Sequence, residues 1–229
     1  MKSVLRSPNS TGSSPARTVH ALIFDLDGVI ADTVRAHDVG WLLVAEHLGV
    51  ELSPDMLESF RGKRRGDILR AMLGRVLTDS EIESAMVVKE AHYDAFVAAM
   101  TDDHILPGVL PLLDEARARR LGLGVASSSM SARPVLDKLG LSERFDVIAD
   151  GATVTRAKPY PDVFLWTAGA LRAKPMHCVV FEDAEAGVRA AHDAGMRVVG
   201  VGNPALAGQA DTVVADLAHI TLDDLLRVV

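Results

Sequence analysis

"ALIFDLDGVIADT", residues 21–33, opens on four apolar residues, then sets Asp25 and Asp27 two positions apart with Gly28 directly behind them. A short run this apolar reads as a strand covered on both faces, as in a parallel sheet packed between helices. Residues two apart on extended chain point the same way, so both carboxyls leave the strand tip together. Two anions that close repel unless a hard cation or a fixed positive group lies between them, and Mg²⁺, which prefers oxygen ligands, suits that place. Taken alone, D-x-D-G reads equally well as a turn-forming cluster that closes a strand.

Working outward, β-rich apolar runs recur at 19–24, 121–127, 145–150, 177–181, 196–201 and 211–216. Helical patterns at 107–120, 131–140, 161–173 and 184–195 lie between them. Alternation of this kind predicts an α/β fold, a doubly wound parallel sheet with a Rossmann-like core. Residues 33–103 break the rhythm, because they hold helical stretches such as RAHDVGWLLVAEHLG and no strand pattern. An all-helical cap domain is therefore expected there, inserted into a core built from 19–32 and 104–229, with its two connections side by side near 31–33 and 101–105.

The bulk numbers narrow the function. Over 229 residues the formal net charge is −7, which argues against nucleic acid or an anionic membrane surface as partner, so an anionic substrate has to be held by local positive charge. The single cysteine, Cys178, sits in an apolar run and excludes an internal disulfide. No apolar run is long enough to cross a bilayer, and the chain is expected to be a soluble, cytoplasmic monomer. Residues 1–18, rich in Ser, Thr, Pro and Gly and without an acid, are expected to form a disordered leader.

Other strand ends carry chemistry as well. Ser127, Ser128 and Ser129 follow the second strand, where hydroxyls beside a helix start can take phosphate oxygens. Lys158 lies in the turn-rich AKPYPD, and Glu182 and Asp183 close the run HCVVF before another helix. In the helical insert, FRGKRRGD (60–67) is either a solvated basic turn or a glycine-hinged loop that presents Arg61 and Arg65 to an anion. His37 and Trp41, four apart, share a helix face that suits a pocket or a core.

Four elements in this order, DLDGVIADT, VASSS, AKPYPD and FEDAEAG, resemble the haloacid dehalogenase superfamily of phosphotransferases over residues 19–229. The resemblance implies that Asp25 is a nucleophile forming an aspartyl phosphate, and that Asp27 is the general acid and base. It implies Mg²⁺ held by Asp25, the Asp27 carbonyl and Asp183 with Glu182 nearby, and a phosphoryl group bound by Ser127 and Lys158. Within the superfamily the insert is most similar to that of the β-phosphoglucomutase branch. By that similarity His37 steers Asp27, Thr33 helps to set its position, Trp41 lines a sugar pocket, and Arg61, Gly62 and Arg65 hold the far end of a small phosphorylated sugar, together with Ser128, Ser129 and Ser131. The implied reaction interconverts β-D-glucose 1-phosphate and glucose 6-phosphate through a bisphosphate, with a sugar-phosphate phosphatase as the alternative. One departure stands out: Met130 occupies a position where that branch usually has a lysine, which weakens the site for a distal phosphate and leaves Lys63 or Arg64 to compensate.

Overall fold

The computed structural model describes residues 18–218 and 220–224, so the expected leader lies outside the described residues apart from Thr18. Six strands form one parallel sheet: β1 (Ala21–Phe24), β2 (Gly122–Ala126), β3 (Val147–Ala149), β4 (Cys178–Glu182), β5 (Arg197–Val201) and β6 (Thr212–Val214), in the order β3-β2-β1-β4-β5-β6. Pairing Phe24 with Val125 on one side and Phe181 on the other puts the ends of β1, β2 and β4 at one level. Ligands bind at that carboxyl edge in open α/β sheets.

Alternation along each strand builds two cores. Leu22, Phe24, Val179 and Phe181 join one apolar cluster, while Ala21, Ile23, Cys178 and Val180 join the other across the sheet. The Phe24 and Phe181 rings stack at 4.6 Å. The helices that cover the faces are α5 (Val109–Ala118), α6 (Ala132–Lys138), α7 (Asp162–Ala170) and α8 (Glu185–Asp193). Gly124 lets α7 lie close, because a Cβ there would press on the Thr167 methyl.

Between β1 and α5 the chain makes only helices: α1 (Val34–Leu48), α2 (Pro54–Phe60), α3 (Arg65–Leu73) and α4 (Asp79–Ala99). Local signals account for their ends. Gly49 closes α1 in a left-handed conformation, and Thr78 and Glu81 form a reciprocal capping box that starts α4. These helices bury an apolar cluster of their own, including Trp41, Val44, Phe60, Leu69 and Met86. The two connections to the sheet unit run together: Ala31 bridges Ile105, and the Asp32 N–H donates to the His104 carbonyl at 2.8 Å. Among the described residues no helix is long and apolar enough to cross a membrane.

Candidate active site

At the tips of β1 and β4, Asp25, Glu182 and Asp183 bring carboxylate oxygens within 4.8 Å of one another, all buried. Lys158, wholly buried, reaches in from the loop that follows β3. Its ammonium donates to Asp25 Oδ1 and, at 2.6 Å, to Glu182 Oε1. The other Glu182 oxygen accepts the Asp183 and Ala184 main-chain N–H groups at 2.8 and 3.0 Å. Glu182 is thus fully engaged in holding Lys158 and the start of α8, while Asp25 and Asp183 keep oxygens in reserve.

One ammonium does not neutralise three carboxylates. Burial first, and the neighbouring Glu182 and Asp27 charges after it, push Asp25 up to about 8 against the pull of Lys158. Burial and the same acidic company hold Asp183 well above the usual carboxylate range. Lys158 is held above the usual lysine range: burial opposes its charge, and Asp25 and Glu182 together outweigh burial. An all-oxygen donor set short of positive charge fits a hard divalent cation. Gly28, at φ +79°, brings the β1 loop so near Asp183 that a Cβ would fall on its carboxylate.

Asp27 faces the helical unit. Its Oδ1 accepts from the Thr33 hydroxyl at 2.5 Å and lies 3.1 Å from His37 Nε2. His37 Nδ1 in turn lies 3.0 Å from Lys89 Nζ, and an ammonium can only donate, so Nδ1 accepts and the ring proton belongs on Nε2, pointing at Asp27. Burial favours the neutral acid at Asp27, but His37, Thr33 and Lys89 outweigh it and hold the carboxyl below its ordinary value. Tyr93 stacks on the His37 ring at 4.3 Å, and Lys89 lies 5.2 Å above the Trp41 and Tyr93 rings.

A cavity of about 180 Å³ joins the two groups of residues, lined by Asp25, Asp27, His37, Trp41, Arg61, Gly62, Arg65, Ser128, Ser129, Ser131 and Asp183 among others. The structure thereby brings most of the expected residues to one space. Ser127, Lys158 and Thr33 do not line it: all three are buried, and the Ser127 hydroxyl oxygen accepts the Ser129 N–H at 3.0 Å. Trp41 serves both of its readings, lining the cavity while packing edge-on against Phe60. The basic loop is not uniformly free. Arg65 pairs with Glu90 at 2.6 Å, Arg61 with Glu58 at 3.0 Å, and Arg64 turns to the Val154 carbonyl at 2.6 Å, away from this cavity. Lys63 does line it, and Met130 stands half-exposed at its edge. Ser128 Oγ and Arg61 Nε are buried with no hydrogen-bond partner among the described residues, which leaves two donors for a ligand.

Lys89, Glu90 and Tyr93 were not anticipated from sequence. The available signal was a lysine at a position where the α4 period demands an apolar side chain: Ala85, Met86, Lys89 and Tyr93 make up the buried stripe of that helix.

A family model for haloacid dehalogenase-like hydrolases matches residues 22–201. The chain belongs to that family. It is 36% identical over 208 residues to a β-phosphoglucomutase of Bacillus subtilis (strain 168), covering 89% of this chain and 92% of the relative. It is also 34% identical over 184 residues to a fructose-1-phosphate phosphatase of Escherichia coli (strain K12), covering 79% of this chain and 95% of the relative. The crystal structure of a β-phosphoglucomutase from Clostridium difficile superposes with a TM-score of 0.86 at 33% identity, covering 92% of this chain and 97% of that one. Haloacid dehalogenase-like relatives of this chain thus include both a mutase and a phosphatase of sugar phosphates.

Proposed function

We propose that the chain is a Mg²⁺-dependent phosphomutase that interconverts β-D-glucose 1-phosphate and glucose 6-phosphate. The observation that carries this reading is the Lys89, His37, Asp27 relay, which extends from the helical unit to the acid beside Asp25 and makes proton transfer depend on both halves of the molecule.

Asp25 is the nucleophile. Lys158 engages one of its oxygens, and the other attacks phosphorus to give an aspartyl phosphate. Asp27 gives a proton to the leaving sugar oxygen, and later takes one from the sugar hydroxyl that attacks the aspartyl phosphate. Accepting the phosphoryl group at O6 of glucose 1-phosphate forms the 1,6-bisphosphate, and returning the group from O1 to Asp25 completes the exchange. Thr33 and His37 hold Asp27 Oδ1, which leaves Oδ2 to face the sugar oxygen. Lys158 and the Ser127 to Ser129 loop meet the charge on the transferring group. Asp25, Asp183 and the Asp27 carbonyl would hold Mg²⁺, whose charge favours ionised Asp25 and offsets phosphoryl charge. Arg61, Gly62 and Arg65 bind the distal phosphate, with Trp41 against the sugar.

A sugar-phosphate phosphatase is the second reading, and it has its own support. Met130 is apolar where a cation would serve a distal phosphate, and Arg65 is already paired with Glu90. Incubation with β-D-glucose 1-phosphate, Mg²⁺ and a trace of the bisphosphate separates the two. Glucose 6-phosphate without free phosphate supports the mutase; stoichiometric free phosphate rejects it. Asp25→Asn should abolish either activity.

A further inference from the structure

The site cavity has a neighbour. A second cavity of about 440 Å³ lies along the seam between the helical unit and the sheet unit, and the two share Arg65, Ser128 and Met130 as a wall. Arg64 lines the second cavity but not the first. Its Nη2 crosses the seam to donate to the Val154 carbonyl on the loop after β3. Arg64 stands at the cap position of α3, yet its side chain makes no capping hydrogen bond, so the helix does not depend on it. Two residues earlier the chain passes near the sheet unit, since a Cβ at Gly62 would come into ordinary contact with the Ala186 and Lys158 side chains. The basic loop is therefore held to the sheet unit across the seam, remote from the paired connections at Ala31 and Ile105.

We propose that Arg64 is a specificity-determining residue that selects a sugar hydroxyl over water as phosphoryl acceptor, an inference that rests on phosphoryl transfer through Asp25. By fastening the loop to Val154 it keeps the shared wall of Arg65, Ser128 and Met130 standing between the acidic centre and the wider cavity. With the fastening lost, water from the second cavity reaches the aspartyl phosphate. Its oxygen bonds to phosphorus, the bond to Asp25 breaks, and its proton passes to Asp27, releasing inorganic phosphate. Hydrogen bonds from a charged donor are roughly twice as strong as neutral ones, so losing this one should raise the open fraction about tenfold.

The test uses the full chain with Mg²⁺ and radiolabelled acetyl phosphate, and follows the lifetime of labelled Asp25 by rapid quench without any sugar. Arg64→Ala should shorten that lifetime about tenfold, and should raise free phosphate relative to glucose 6-phosphate when β-D-glucose 1-phosphate is supplied. Arg64→Lys, which keeps a charged donor, should restore part of the lifetime. Equal lifetimes in wild type and a folded Arg64→Ala overturn the role of Arg64 alone, as does an Arg64→Lys protein no better than Arg64→Ala. Failure of wild type to label at Asp25 overturns the phosphoryl-transfer reading and this inference with it. A wild type that releases only phosphate removes the mutase but leaves the lifetime comparison decisive, because that comparison needs no sugar.

Discussion

His37 Nδ1 accepts from the Lys89 ammonium at 3.0 Å, and this contact puts the ring proton on Nε2, the nitrogen that faces Asp27. Burial first, and Arg65 nearby, bring Lys89 down to about 8 from 10.5, against the pull of Asp27 and Glu90. Lys89→Met should lower kcat by ten- to a hundredfold with a smaller effect on KM, and should remove an alkaline limb of the wild-type pH profile centred near 8. The stability effect has the opposite sense. Between pH 8 and 10.5 the unfolded chain holds the Lys89 proton that the folded chain has released, so wild type gains stability over Lys89→Met as pH rises through that window, by about 3 kcal/mol at most. Chemical denaturation at pH 7 and pH 10 measures it, and an unchanged difference would contradict the buried charge.

Gly187 faces Glu182 so closely that a Cβ would fall on Oε1, the oxygen that accepts Lys158. Replacing a helical glycine by alanine ordinarily stabilises by about 1 kcal/mol. Gly187→Ala should instead cost about 2–4 kcal/mol and most of the activity, since Glu182 must leave Lys158. Thermal melts decide between the two effects by sign.

Asp25, Glu182 and Asp183 cluster with one lysine pairing only the first two, so a bound divalent cation should stabilise the fold. Mg²⁺ at a hundred times its dissociation constant adds about 2.7 kcal/mol, visible as a rise in melting temperature. Asp183→Asn should lose most of this rise. An equal rise in that variant would place the cation elsewhere.

Arg65 and Glu90 pair at 2.6 Å, half-exposed, at the wall of the cavity where Arg65 is proposed to meet substrate. Exposed pairs of this kind contribute under about 1 kcal/mol. Glu90→Gln should therefore free Arg65 with little stability change and lower KM for a sugar phosphate severalfold, while Arg65→Ala should damage transfer to a sugar far more than hydrolysis of a small phosphate ester. Equal losses on both substrates in Arg65→Ala would remove the loop from substrate binding.

Much of this protein was legible in the chain itself. Apolar runs bounded by turn residues located all six strands, because a sheet covered on both faces requires continuous hydrophobicity. Asp25 and Asp183 could be placed at one edge from sequence because each closes such a run and strand ends in a parallel sheet converge, whereas Lys158 stood out only as a charge in the turn-rich AKPYPD. The insert was legible as helical because residues 33–103 show no strand pattern, and its paired connections follow from starting and ending at neighbouring points.

What tertiary structure alone decided is partnership. Lys89 is 52 residues from His37 in sequence, and no local pattern shows that α4 turns it onto that ring. The basic loop could be read from sequence as a solvated turn or as a loop presenting Arg61 and Arg65 to an anion, yet Glu58, Glu90 and the Val154 carbonyl divide its arginines among three different partners. Periodicity records which face of an element is buried, an average over many contacts. A single hydrogen bond depends on positions to within a few tenths of an ångström, and those are fixed only when the separate elements pack.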